Sequence, residues 1–441
     1  MGRLKQITWD FTKNCNLRCV SCYNCADKNQ EIHNIDSVLE KINKSGIEAV
    51  HILGGEPLVN KNMRYVLSKL KKQGIAASLV ANGAKLTADV FEDLKQLGLS
   101  VLCVSLDGLE EINDFTRGKG TYRLVINNLK NIREKYGEGY FQDNNMDKPQ
   151  VSISHTITSR NVDSFLHFAM EMYQIGVRNI TLGFIFNADN EKRNNKSLSF
   201  SREQKEYVLS RLEKAFEILS AECKDMIFNV QLRPLYVKYL NMKYGNNFKY
   251  TTGYTKCKAR QDFLYLDANG DIHPCNVYSL EGIINFDLDQ YMSLELNVKD
   301  VYSLSEALFH PRFELFHKMY KTAKDVNARY HTFIPTIICE VCFVKEYCEP
   351  CPFKFYEREH YLECEIAYEY YIHMYDQIKD KIIEIPENFT CTMDSQFSKM
   401  ASKTVEEAVE KSGAIDLFGS VDWKILQRIL KLQKKGLINV V

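Results

Sequence analysis

Residues 10–26 read DFTKNCNLRCVSCYNCA, a loop that carries Cys15, Cys19 and Cys22 in the spacing CX3CX2C directly after the apolar run ITWDF. Three thiolates on one short loop can hold three irons of a cubane 4Fe-4S cluster and leave the fourth iron open to a ligand that is not protein. A zinc knuckle is the competing reading, with Cys25 offered as the fourth ligand. The residues downstream of the loop decide between the two.

Beyond it, apolar runs alternate with amphipathic stretches: IDSVLEKINKSG, EAVHILGG, NMRYVLSKLKKQG, IAASLVANG, TADVFEDLKQLG, LSVLCVSLDG and TYRLVINNLKNIREKYG. The alternation continues through VSISHTIT, NVDSFLHFAMEMYQIG, VRNITLGF and SREQKEYVLSRLEKAFEILS, making six strand–helix units. Such a pattern predicts a parallel sheet rolled into a partial (β/α)6 TIM-like barrel, an α/β fold. Barrels of this kind place ligand contacts at the carboxyl ends of their strands. At those ends stand Gly54-Gly55-Glu56-Pro57, Ala81-Asn82-Gly83 and Ser105-Leu106-Asp107-Gly108, the last followed by Asn113-Asp114-Phe115-Thr116-Arg117-Gly118. One face of VSISHTIT is hydroxyl-rich, which suits either a polar cavity or the wetted side of an edge strand. The polar stretches GEGYFQDNNMDKPQ and NADNEKRNNKSLS read as loops, and the second is a candidate substrate lid.

After about Leu232 the alternation is expected to stop. A hairpin signal, FLYLDANGDIHPCNVY, opens a cysteine-rich region, with Asn269-Gly270 as the turn. The expected organisation is a catalytic domain at 1–235, a cysteine-rich domain at 236–380 and a helical extension at 381–441. In that extension Trp423, Ile425, Leu426 and Ile429 lie at helical spacing.

Lys plus Arg and Asp plus Glu both number 57, so no global charge draws the chain to nucleic acid or an anionic membrane. No apolar segment has the length of a membrane span and the start lacks a secretory h-region, which predicts a cytoplasmic protein. Fourteen cysteines in that compartment point to metal or redox chemistry rather than disulfides.

With the cysteine loop and the three strand-end motifs in this order, residues 7 to 235 resemble the radical S-adenosylmethionine (SAM) superfamily. Ser21 and Asn113 depart from that pattern, where relatives carry an aromatic residue and often a histidine. The resemblance implies that Cys15, Cys19 and Cys22 hold a 4Fe-4S cluster whose open iron chelates SAM. Glu56 would accept a hydrogen bond from the SAM amino group, with Gly54 and Gly55 permitting close backbone approach. Asn82 and Ser105 would contact ribose or carboxylate, and Arg117 would clamp the carboxylate.

The later cysteines, CX12GX4C from Cys257 through Gly270 to Cys275 and then Cys339, Cys342, Cys348, Cys351 and Cys364, resemble a SPASM domain. The interval from Cys348 to Cys351 is one residue shorter than usual. By that resemblance Cys339, Cys342, Cys348 and Cys364 close one auxiliary 4Fe-4S cluster, while Cys257, Cys275 and Cys351 hold a second that is one ligand short. Two structural zinc ribbons are the alternative. Asn276 stands where sulfatase-maturing relatives carry an acidic base, and a carboxamide cannot accept a proton at useful pH. The extension loosely looks like the helical half of winged domains that bind leader peptides; a plain helical cap explains it as well.

Cys103, Cys223 and Cys391 read as small buried hydrophobes, and His51, His155 and His273 as packed residues. Together these features predict an oxidoreductase that makes a 5'-deoxyadenosyl radical and modifies or cross-links a peptide or protein side chain. Its expected partners are a leader-bearing precursor peptide and a flavodoxin- or ferredoxin-type electron donor. A small-metabolite or tetrapyrrole substrate is the alternative within this chemistry. An iron-sulfur carrier or zinc-structural protein is the alternative outside it, and neither would need Glu56, Ser105 or Arg117.

Overall fold

The computed structural model describes residues 4–22, 34–142, 149–184, 202–245, 247–250, 263–276, 288–330, 362–364, 366–367 and 370. Cys25, Cys257, Cys339, Cys342, Cys348, Cys351 and Cys391 lie outside these residues, as do the lid segment 187–199 and the extension 381–441.

Strands β1 (Gln6–Asp10), β2 (Ala49–Leu53), β3 (Ala76–Ala81), β4 (Leu99–Ser105), β5 (Gln150–Ile157) and β6 (Asn179–Phe184) pair in chain order, each parallel to the next. Between them run α1 (Ile35–Lys44), α2 (Met63–Lys72), α3 (Ala88–Gln96), α4 (Glu110–Arg117), α5 (Thr121–Tyr136) and α6 (Phe165–Ile175), and α7 (Arg202–Glu222) follows β6. The helices form where the sequence supplies both a cap and an apolar stripe. In α1 the Asn34 side chain accepts from Ser37 N, and Val38, Leu39 and Ile42 are buried; Thr87 caps α3 through Val90 N.

The strands are sided. Ile7, Trp9, Val50, Ile52, Leu79, Leu102, Val104, Ile153, Ile180 and Leu182 are buried. The alternate positions carry Thr8, His51, Ser78, Cys103, Ser105, Ser154, Thr156 and Thr181, most of them half-buried. A parallel sheet covered by helices on both faces would be aliphatic throughout. This one keeps a polar inner face, in keeping with the hydroxyls of β5.

Two expectations need correction. The alternation does not stop at Leu232: β7 (Ile227–Val230), α8 (Pro234–Tyr244) and β8 (Phe248–Tyr250) continue the parallel sheet. IFNV is too short to show a period, but Pro234 at the first turn of α8 is a helix-start signal. The hairpin of β9 (Phe263–Leu266) and β10 (Ile272–His273) is present, though its loop is wider than a two-residue turn. Asp267 Oδ1 accepts from both Asn269 N and Asp271 N, closing an Asx turn within which Gly270 sits at φ 88°. The hairpin also joins the barrel, because β9 pairs in parallel with β1, Thr8 opposite Tyr265. The result is one ten-stranded sheet in the order β10-β9-β1-β2-β3-β4-β5-β6-β7-β8. Beyond it lie α9 (Leu288–Ser293) and α10 (Pro311–Tyr330).

Candidate active site at the carboxyl ends of the strands

The cysteine loop leaves β1 at Asp10 and is bonded at once to the end of β2. Gly55 N donates to Thr12 O (2.6 Å), Glu56 N to Asn14 O (2.7 Å), and Asn14 N to Thr12 Oγ1 (3.1 Å). A Cβ on Gly54 would lie 2.5 Å from Thr12 O, and one on Gly55 2.2 Å from Asn14 O. These glycines therefore permit the close approach of the loop's own backbone. Gly54 at φ 143° also occupies a conformation that side chains disfavour.

Farther along the loop, Val20 N donates to Thr116 O (2.8 Å), which pins the segment between Cys19 and Cys22 against the last turn of α4. Cys22 N donates to Cys19 O, and Leu17 N to Cys15 Sγ (3.4 Å). None of the three is in a disulfide, and all three are half-buried.

Around the loop stand the charges. Glu56 is fully buried; its Oε1 accepts from Leu58 N (3.0 Å) and its Oε2 from Asn82 N (2.5 Å). Burial pushes its pKa up to about 7, against the pull of those two backbone donors and of Arg117. Asn82 turns its amide nitrogen to Asn16 Oδ1 (2.9 Å), with Cys15 Sγ 3.8 Å away. Arg117, expected as a lone clamp, has a partner of its own: its Nε lies 2.8 Å from Asp107 Oδ2, and both side chains are largely buried. Asp107 is fixed in turn, its N–H donating to Asn113 Oδ1 and its carbonyl accepting from Asn161 Nδ2. Asp114 anchors the start of α5 by accepting from Gly120 N and Tyr122 N. The Asn113–Gly118 segment is thus a brace that carries Arg117 to the cysteine loop. Ser105 ends β4 opposite Ser154, on the inner face.

Burial pushes the Cys19 thiol up to about 11, while the Arg117 charge draws it back. Iron and zinc both bind the thiolate, so a fixed guanidinium beside the loop offsets part of the cost of deprotonation. Among the described residues the ligand atoms of Asp267, Asp271 and His273 lie within 4.8 Å of one another. Three thiols on one loop, beside a fixed guanidinium, suit a 4Fe-4S cubane with one iron left open to a ligand that is not protein.

Of the later cysteines, Cys275 follows β10 and Cys364 is buried next to Glu363. The Glu363 carboxylate lies 3.0 Å from Lys205 Nζ and 3.6 Å from Arg233 Nε, holding this turn against α7 and the start of α8. The three histidines are packed residues. His155 Nδ1 lies 3.0 Å from Leu106 O, its ring stacks on Phe168, and burial depresses its pKa to about 4. His51 bridges Ser78 Oγ and Gln6 Oε1, and His273 meets Tyr291 Oη. Sequence reasoning missed Asp10 and Tyr265, and it gave Asp107 no role within its strand-end motif. Asp10 is fully buried and accepts from Lys13 Nζ (2.9 Å) and from Tyr265 Oη (2.8 Å), which links the cysteine loop to the hairpin of Cys275. The signal for both aspartates was an acidic residue ending an apolar strand, in ITWD and VSLD.

Comparison with known proteins agrees with this arrangement. Residues 9–145 match the Radical SAM superfamily. The chain is 31% identical over 163 residues to Fe-coproporphyrin III synthase of Methanosarcina barkeri, covering 35% of this chain and 38% of that protein. It is 26% identical over 168 residues to mycofactocin maturase MftC of Mycolicibacterium smegmatis, covering 37% and 40%. The match thus spans about two fifths of the length of these relatives. Among solved structures the fold is similar to anSMEcpe with bound AdoMet and Cp18Cys peptide (TM-score 0.59, 15% identity, 86% of this chain and 99% of that one). It is also similar to Streptococcus suis SuiB bound to precursor peptide SuiA (TM-score 0.55, 14% identity, 82% and 77%). Residues 9–145, which carry Cys15, Cys19 and Cys22 on the loop after β1, form a radical SAM domain.

Proposed function

We propose that the chain is a radical SAM oxidoreductase that oxidises or cross-links a side chain of a peptide or protein. The observation that carries this reading is the three-thiol loop flanked by the buried Glu56 and the Arg117–Asp107 pair. A 4Fe-4S cluster on Cys15, Cys19 and Cys22, when bound, supplies the electron that splits SAM into methionine and a 5'-deoxyadenosyl radical. The chain's own residues bind and orient. Glu56, each oxygen holding one backbone donor, has acceptor capacity left for an ammonium group. Arg117, held by Asp107, offers its remaining N–H groups to a carboxylate, and Asn82 and Ser105 stand at neighbouring strand ends for ribose or carboxylate. Cys275 and Cys364, with Cys257, Cys339, Cys342, Cys348 and Cys351, would hold two auxiliary clusters that accept the electron released in a net oxidation.

The peptide is supported by the likeness in fold to structures solved with peptides bound and by the matched maturase. A tetrapyrrole substrate is the second reading, favoured by the identity to Fe-coproporphyrin III synthase. Anaerobically reconstituted, reduced protein is expected to convert SAM to 5'-deoxyadenosine and methionine, and Cys19→Ala to abolish the conversion. Equal 5'-deoxyadenosine from the variant would refute the assignment. Iron analysis of the same preparation is expected to give about twelve irons per chain, against about four plus zinc if the later cysteines form zinc ribbons.

A further inference from the structure

Below the site, at the amino-terminal halves of β4 to β7, the inner face encloses a cavity of about 270 Å³. Its polar lining is Cys103, Gln150, Ser152, Asn179, Thr181 and Asn229, completed by apolar side chains and Gln142. No charged residue belongs to the lining among the described residues. Along β4 and β5 the same face continues through Ser105, Ser154 and Thr156, whose N–H donates to Asp107 Oδ1, so hydroxyl-bearing residues run from the cavity toward the carboxyl ends of the strands.

The lining has one consistent chemistry. Carboxamides and hydroxyls donate and accept, and reorient to suit a guest. Asn229 Nδ2 already donates to Asn179 Oδ1 at 2.7 Å, a bond of the kind a guest amide would extend. A guest with amide or hydroxyl groups regains here the hydrogen bonds it leaves in water. A carboxylate does not, because among the described residues no cation belongs to the lining and burial of an unpaired charge is costly. Burial likewise pushes the Cys103 thiol up, against the pull of a hydrogen bond with Ser152 and of the Arg117 charge.

We propose that this cavity is a binding subsite for an uncharged hydrogen-bonding chain segment, a carboxamide or hydroxyl side chain with its backbone amides, and that it rejects carboxylates. Naming the guest a peptide rests on the function proposed above; the selectivity for neutral groups does not. It weighs against a ring bearing several carboxylates as the occupant.

Cys103 is a built-in reporter, half-buried at the cavity wall. Iodoacetamide and iodoacetate alkylate a thiol by the same step: the thiolate sulfur displaces iodide and the thiol proton passes to buffer. Any slowing of that step by the raised thiol pKa is common to both reagents and cancels in their ratio. Iron-loaded protein would be treated anaerobically with each reagent and Cys103 modification quantified by peptide mass spectrometry, with the urea-unfolded chain as reference. The expected amide-to-acid rate ratio is at least tenfold above that of the unfolded chain. In Thr181→Lys, shown to be folded by circular dichroism and iron content, it is expected to fall within threefold of that reference. Three results would overturn the proposal: a native ratio equal to the reference, no Cys103 modification by either reagent, or an unchanged ratio in the folded lysine variant. Because alkylation needs neither SAM nor turnover, failure to modify any peptide would remove the functional reading alone.

Discussion

Strand β4 runs along one inner face from Val101 through Cys103 and Ser105 to Asp107, and its chemistry changes on the way. At its amino-terminal end it lines a cavity with no charged residue among the described residues; just past its carboxyl end Asp107 is buried against Arg117. The neighbouring strands repeat the contrast, with Ser152 and Thr181 below and Glu56 and the three thiols above. A buried charge is tolerated where a partner is fixed in place, and the upper end supplies partners through the brace of Asn113–Gly118 and the backbone donors to Glu56. The lower end supplies none among the described residues, which is why the proposed guest there is neutral. On these two proposals one scaffold separates a place for a charged cofactor from a place for an uncharged guest.

The largest effect on this contrast is expected from breaking a partner at the upper end. Asp107→Asn leaves Arg117 buried without its counter-ion and is expected to cost about 3–5 kcal/mol of stability, read as a fall in the urea midpoint under anaerobic conditions. The double variant with Arg117→Gln should recover part of that loss. A cost no larger than a surface substitution would show that the pair is not what holds the brace.

A somewhat smaller effect concerns pH. The folded pKa of Glu56 is raised from 4.5 to about 7, so its contribution is fully present below pH 4.5 and lost as the pH rises through about 7. The shift corresponds to about 3 kcal/mol at most. In SAM-free protein Glu56→Gln should therefore flatten the decline in stability between these limits, and added SAM should restore stability to the parent more than to the variant. Parallel pH profiles for the two proteins would argue against a protonated Glu56.

The smallest change tests the link between the cysteine loop and the hairpin. Tyr265→Phe removes one hydrogen bond to a buried carboxylate, at a cost of about 1.5–2 kcal/mol. Since Asp10 keeps Lys13, the iron bound by Cys15, Cys19 and Cys22 should be unchanged. Loss of that iron would make Tyr265 a requirement for the loop itself.

Much of this was open to reading along the chain. The strand–helix alternation through β6, the three thiols and the strand-end motifs each depend on spacing within a few residues. The hydroxyl face of β5 likewise comes from the two-residue period of a strand. Where reading failed, the cause was a short or unperiodic element, as in IFNV of β7, or a local turn bond such as that of Asp267. The packing of Gly54 and Gly55 against the cysteine loop was not legible, because the chain does not say which backbone will lie against a glycine. Among the described residues no helix is long and apolar enough to cross a membrane.

What the sequence by itself determined is the order of elements and the set of three thiols, since both depend on covalent spacing and local periodicity. Only the tertiary structure decided that Arg117 meets Asp107, that Glu56 is held between Leu58 and Asn82, and that Tyr265 reaches Asp10 from 255 residues away. Such contacts come from strand register: β9 settles beside β1 with Tyr265 opposite Thr8, and a shift of one residue would turn its hydroxyl to the other face. The uncharged cavity arises in the same way, from side chains of four strands that share no local pattern and meet only when the sheet curls.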